Sequence, residues 1–144
     1  MPEGHRGCLT SYVAPSLIVA AASVGRSRPL TIDDVLELAR RGDPLALKVV
    51  QEAAYAIGHA AAEIASTTFV DAVILSGEGI HLCDLAEEAL IRGFQQYASA
   101  GTAQQRPLVR PMDFFEWARG AAVTAIHAEF PGDRRRSDDA SRQR

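Results

Sequence analysis

Between Asp43 and Ser66 the chain runs DPLALKVVQEAAYAIGHAAAEIAS, and no other stretch restricts the fold as strongly. Leu47, Val50, Ala54, Ile57, Ala61, Ile64 and Ala65 recur at three- and four-residue spacing. That is the period of an α-helix and not of a strand. Asp43 is a good N-cap, and Pro44 suits the first helical position, where a missing N–H costs nothing. A helix of this length, about Pro44 to Ser66, needs a partner for its apolar face. Its interior is mostly alanine and includes Gly58, so a neighbouring backbone can approach closely. The segment is expected to be a central, tightly packed helix.

Similar signals set the elements around it. Leu9 to Val24 is rich in Ala, Leu, Ile and Val but is interrupted by Pro15. This predicts a short turn of helix, a break near Ala14-Pro15 and a second helix. Gly25 and Pro29 mark the exit loop. Thr31 opens TIDDVLELARRGD as an N-cap. Asp33 and Asp34 suit the positive end of that helix, Arg40 and Arg41 its negative end, and Gly42 is the stop.

Val73-Ile74-Leu75 is a continuous apolar run between Asp71 and Gly77, which predicts a strand buried on both faces. One amphipathic helix is expected from about Asp84 to Ala98, with Leu85, Ala89, Leu90 and Phe94 inward. Leu108-Val109, between Pro107 and Pro111, predicts a short strand at an edge. A last helix is expected from about Phe115 to Phe130. Tyr55, Phe114, Phe115 and Trp117 are read as core or interface anchors. After Pro131-Gly132 the chain ends in DRRRSDDASRQR, charged and without aromatics, and 131–144 is expected to be a disordered tail.

The resulting class is α/β and helix-rich. The strand–helix–strand unit should be a right-handed parallel crossover. Two strands are too few for a free sheet, so strands from elsewhere are expected to complete it. Without them apolar surface is left exposed, which favours oligomers.

The net charge of −3 leaves no basic surplus to hold a phosphate backbone, which argues against nucleic-acid binding by this chain alone. Hydrophobic residues at 47% and charged residues at 23% are globular proportions. The two cysteines, Cys8 and Cys83, form no disulfide framework and no complete metal motif, which fits a reducing cytoplasm. Leu17–Val24 is too short to span a bilayer, and no secretory signal precedes it, so no membrane partner is expected.

Two places attract a chemical reading. Ser76, Gly77 and Gly79 form a glycine turn at the carboxyl end of the first strand, where open α/β sheets bind ligands and where backbone N–H groups can meet a phosphate. The same glycines also serve a plain strand-to-helix turn. Glu78 at the tip would repel phosphate. Cys8 could be a zinc ligand with His5 three residues before it, but tetrahedral zinc needs four ligands. A cysteine at a helix start is also commonly a small buried hydrophobe. His59 and His127 are read as packed or half-exposed histidines. Asp33-Asp34 and Glu87-Glu88 are read as helix-end and solvated carboxylates. No nucleophile–base–orienter set can be assembled.

The opening stretch GHRGCLTSYVAPS, Gly4 to Ser16, resembles the second half of the zinc signature of the ROK family of repressors, open reading frames and sugar kinases. That signature is Cys-x-Cys-Gly-x-x-Gly-Cys-x-Glu, and Gly4, Gly7 and Cys8 match its Gly, Gly and last Cys. VDAVILSGEGI resembles the late strand and glycine turn of the family, with Ser76-Gly77 in place of Gly-Gly. ARGAAVTAI, from Ala118 to Ile126, is similar to its closing helix. The resemblance covers about Gly4 to Phe130 and only the C-terminal half of a family member.

It implies a partial actin-like ATPase (ribonuclease H-like) C-terminal domain over residues 1–130. The first two zinc cysteines would fall at Met1 and Glu3, so the metal site is incomplete and Cys8 is its remnant. No cofactor is expected on this chain, although complete family members carry zinc. The family's sugar-contacting Glu would fall at Thr10, which has a hydroxyl and no charge. The Gly-Glu-x-Gly-His sugar motif and the catalytic aspartate would lie upstream, so the chain by itself is expected not to be an enzyme.

The resemblance thus points to a sugar-responsive transcriptional regulator, of which this chain is the effector-binding and dimerisation portion. DNA would be bound only through a separate N-terminal domain, a sugar effector by the full-length protein, and a second copy by the C-terminal region. The C-terminal half of an ATP-dependent, glucokinase-like sugar kinase, inactive alone, is the alternative. An autonomous helical interaction module is a third.

Overall fold

A 25-residue helix organises the first part of the molecule. The computed structural model describes residues 8–68, 70, 72–77, 79–102, 105–110 and 114–129. Expectations for Met1, Glu3, Gly4, His5, Gly7, Glu78 and the 131–144 tail lie outside them. In chain order the elements are α1 (Leu9–Val13), α2 (Pro15–Ala22), α3 (Ile32–Arg40), α4 (Pro44–Thr68), β1 (Ile74–Leu75), α5 (His81–Leu85), α6 (Glu87–Tyr97), β2 (Leu108–Val109) and α7 (Phe114–Glu129). They fall into two compact units, Met1–Pro111 and Met112–Arg144. No described helix is long and apolar enough to cross a membrane.

Local chemistry sets the helix boundaries of the first unit. Ala14 is extended, at φ −66° and ψ 125°, because it precedes Pro15, and this separates α1 from α2. Thr31 and Asp34 form a reciprocal capping box on α3. The Thr31 N–H and hydroxyl donate to the Asp34 carboxylate at 2.9 Å each, and the Asp34 N–H donates to Thr31 Oγ1 at 3.2 Å. These bonds, the backbone one foremost, hold the Asp34 carboxyl below its ordinary range.

The end of α3 is a Schellman motif. Gly42, at φ +81°, donates to the Ala39 carbonyl, and Asp43 donates to that of Leu38, both at 3.0 Å. Asp43 then caps α4 by accepting from the Ala46 N–H at 2.9 Å. Arg26 donates to the Ala22 carbonyl at the end of α2 and, at 2.7 Å, to the Asp43 carboxylate. One guanidinium thus ties the exit of α2 to the entry of α4. It is also the main reason the Asp43 carboxyl lies below its usual range.

The core is the crossing of α4 and α6. A Cβ added at Gly58 would overlap the Leu90 carbonyl oxygen and lie 2.9 Å from the Phe94 nitrogen. A Cβ at Gly93 would overlap the Tyr55 carbonyl oxygen and lie 3.0 Å from its carbon. The two helices therefore meet backbone to backbone, as the alanine-rich sequence of α4 implies. Phe94 is fully buried and clusters with Ala61, Ala62 and Ala65. The main core joins Ile18, Val35, Val50, Cys83 and Leu90 from the surrounding helices.

One expected helix is two. α5 ends at Leu85, and Ala86, at φ −125° and ψ 40°, separates it from α6. No glycine, proline or capping side chain marks this break.

β1 and β2 pair in parallel with Ile74 opposite Leu108 and Leu75 opposite Val109. The expectation of a strand buried on both faces is corrected. Leu75 and Val109 pack on the core, whereas Ile74 is 64% exposed and Leu108 46%. Side chains alternate across a pleated strand, and within this unit the helices cover one face only.

The second unit contributes α7. Phe115 and Trp117 on it are exposed, as are Val123 and Ile126. Phe115 and Trp117 are therefore not core anchors, because no apolar layer of their own unit stands opposite them among the described residues.

Candidate functional site

The glycine turn follows β1 directly. Ser76 donates its hydroxyl to the Arg110 carbonyl at 2.7 Å, tying the carboxyl ends of β1 and β2 together. Gly77 and Gly79 sit at φ +128° and +75°, a region closed to most L side chains. A Cβ at either would meet nothing within 4 Å, so the backbone angle and not crowding requires glycine here. The Gly77, Gly79 and Ile80 carbonyls accept from Ile80, Leu82 and Cys83 and so start α5. Buried Ile80 anchors the turn below, leaving open space above both glycines.

Cys8 and Thr10 lie on a different element. Cys8 is half-buried at the N-cap of α1, and its Sγ is 3.2 Å from Ser11 Oγ, which in turn donates to the Cys8 carbonyl at 2.8 Å. The Ser11 hydroxyl contact is the main reason the Cys8 thiol is lowered from its usual range. Thr10 is exposed, and its carbonyl accepts the Ala14 N–H at 3.1 Å.

A structural zinc ion needs four converging ligands. Among the described residues no three His, Cys, Asp or Glu converge, and the Cys8 sulfur is engaged by a serine. The described residues do not fit a four-ligand zinc site, and no step is derived through one. Cys83, the other thiol, is buried in the core, and its desolvation, aided by the nearby Asp84 charge, pushes it up to about 11.

The sequence reading missed a surface groove between α1, α4 and α6. A cavity of about 560 Å³ is lined by Tyr12, Lys48, Glu52, Tyr55, His59 and Arg92, among others. A second, of about 390 Å³, shares Tyr12, Ala56 and His59 with it and continues to Glu63 and Ile64. The His59 ring stacks on Tyr97, with centroids 3.5 Å apart and planes at 15°. Tyr55 meets Tyr97 edge-on and donates its hydroxyl to Gln96 at 2.8 Å. The available signal was the helical spacing of Lys48, Glu52, Tyr55, His59 and Glu63. Nothing local says that Tyr12 and Tyr97 join them.

The family can now be read from comparison. The ROK family model matches residues 4–127. The chain belongs to the ROK family. An N-acetylmannosamine kinase of Yersinia pestis (strain Pestoides F) is 34% identical over 74 residues, which are 51% of this chain and 25% of that protein. In structure, the ROK chain is similar to a ROK family transcriptional regulator, a homolog of the E. coli MLC protein. The TM-score is 0.61 at 18% identity, over 74% of this chain and 30% of the regulator.

It is also similar to a ROK hexokinase from Thermus thermophilus, with TM-score 0.54 and 25% identity over 74% and 36% of the two chains. A ROK glucokinase from Streptomyces griseus, solved with glucose and AMPPNP, gives 0.58 and 22% over 75% and 40%. The chain thus spans about a quarter of the curated relatives it matches and 30–40% of the solved ones. At these identities the regulator and the glucokinase show the shared fold alone. The coarse expectation holds: a ROK-type, helix-rich fold with a small parallel sheet.

Proposed function

We propose that this ROK chain is the C-terminal, sugar-sensing part of a transcriptional regulator, which binds a sugar effector in the full-length protein without phosphorylating it. The observation that carries this reading is Thr10. By resemblance it occupies the position of the family's sugar-contacting glutamate, and here it offers an exposed hydroxyl on α1 and no carboxylate. A hydroxyl keeps a hydrogen bond to a sugar but loses the charge-assisted one, so recognition is weaker and altered. Phosphoryl transfer depends on positioning and charge stabilisation around the nucleotide. The Ser76–Gly79 turn is a candidate for part of a nucleotide contact, and in the regulator reading it is vestigial.

The N-acetylmannosamine kinase relatives favour a second reading, the C-terminal part of a hexosamine kinase. The full-length gene product separates the two. It is given ATP with N-acetylmannosamine or glucose, and ADP release is followed. In parallel, its affinity for its own upstream DNA is measured with and without each sugar. Sugar-dependent change in DNA binding without ADP release supports the regulator. Sugar-dependent ADP release overturns it. Thr10→Glu in the full-length protein is expected to tighten sugar binding, read by calorimetry.

A further inference from the structure

We infer that the groove between α1, α4 and α6 is a binding site for a small molecule that carries a flat ring and one carboxylate. Its cavity of about 560 Å³ belongs to the first compact unit and has the size of an ordinary ligand pocket. Thr10, Ser76, Gly77 and Gly79 line neither this cavity nor the adjoining one. The groove is therefore separate from the glycine turn and from the sugar-contacting position.

The walls favour a ring. Tyr12 of α1 and Tyr55 and His59 of α4 line the cavity, and Ala56 offers only a methyl group between them. Tyr12 is 43% exposed, and stacking on a flat ligand would cover that surface. Tyr55 and His59 are already held, the first by its hydroxyl bond to Gln96 and the second by its stack on Tyr97. Walls fixed in this way lose little side-chain freedom when a ligand enters.

The charges favour a carboxylate. Two cations, Lys48 and Arg92, line the cavity against one carboxylate, Glu52. Glu52 is engaged by Lys48 at 3.7 Å. Arg92 meets Glu88 only at 3.9 Å, and the Glu88 side chain is 96% exposed, so that pair contributes little. Arg92 thus presents a guanidinium fork that a carboxylate can accept from with both oxygens. A cationic ring compound would meet both Lys48 and Arg92. A phosphate dianion would exceed the single net positive charge and face Glu52. In the adjoining cavity Glu63 stands 3.4 Å from His59, so that end repels an anion. The ligand's polarity follows: carboxylate towards Arg92, ring towards Tyr12 and Ala56. The inference does not depend on whether the parent protein is a regulator or a kinase.

The test is a nuclear magnetic resonance titration of the ¹⁵N-labelled 144-residue chain with 3-phenylpropionate. Saturable shifts are expected at the Tyr12, Ala56 and Arg92 amides, with a Kd of about 0.1–1 mM for a ligand of this size. Propionate lacks the ring, 3-phenylpropionamide lacks the charge and 2-phenylethylammonium reverses it. Each should bind about tenfold more weakly or worse. Arg92→Gln should cost about tenfold, and Arg92→Lys should cost less.

A second variant leaves the charges alone. Ala56→Leu fills the space for the ring and should abolish the shifts at Tyr12 and Arg92, while the spectrum of the buried core reports that the fold is kept. Absent or unsaturable shifts in the groove at millimolar 3-phenylpropionate would overturn the inference. So would equal affinity for the propionate, the amide or the ammonium compound, or parent-like binding by Arg92→Gln or Ala56→Leu.

Discussion

Gly58→Ala adds one methyl group where α4 and α6 touch. The new Cβ would overlap the Leu90 carbonyl oxygen and stand 2.9 Å from the Phe94 nitrogen and 3.0 Å from the Leu90 carbon. All three neighbours are backbone atoms, so no rotamer change relieves the overlap. The helices must separate by about an ångström, and a gap of that size forfeits roughly a quarter to a half of each contact it opens. Overpacking of this kind costs about 1–3 kcal/mol, and more where backbone must move. Alanine returns up to about 1 kcal/mol of helix propensity. The upper part of the range applies to a rigid crossing, so the net loss should be about 2 kcal/mol.

For a chain of this size that is a fall in Tm of roughly 6–10 °C, read by far-UV circular dichroism. Gly93→Ala should behave alike, because its Cβ would overlap the Tyr55 carbonyl oxygen. The double variant should lose less than the sum, since one separation serves both. Gly120→Ala, with nothing within 4 Å of the added carbon, is the control and should be neutral or slightly stabilising. An unchanged or raised Tm for Gly58→Ala would refute the backbone-to-backbone crossing.

Phe94→Ala empties the centre of the second cluster and should cost about 3–5 kcal/mol in urea unfolding; a loss under about 1 kcal/mol would mean that this cluster is not packed as described. Asp34 and Asp43 titrate below their ordinary range when folded, so their contribution is fully present above the unfolded value of about 3.9 and is lost as pH falls through the lower folded values. Asp43→Asn should therefore flatten the fall of Tm below about pH 4, and an unchanged profile would count against the Arg26 tie. Cys8 should react first with a thiol reagent at neutral pH, while Cys83, buried and raised to about 11, should react only on unfolding. Two equally fast thiols in the native protein would contradict the core position of Cys83.

The sequence by itself determined where α1, α2, α3 and α4 start and where α3 stops. Those signals are local: Pro15 forces Ala14 out of the helix, Thr31 and Asp34 cap each other, and Gly42, Asp43 and Pro44 end one helix and begin the next within three residues. The candidate residues Cys8, Thr10, Ser76, Gly77 and Gly79 were legible for a different reason, through their likeness to ROK motifs, which are short and contiguous. Only the tertiary structure decided the rest. Whether Ile74 is buried depends on what lies on the far face of the sheet and not on its own run of apolar neighbours. The groove gathers Tyr12, His59 and Arg92 from three helices, and Gly58 and Gly93 are crowded only because α4 meets α6. Such adjacencies arise from the path of the chain between elements, which no local spacing of residues encodes.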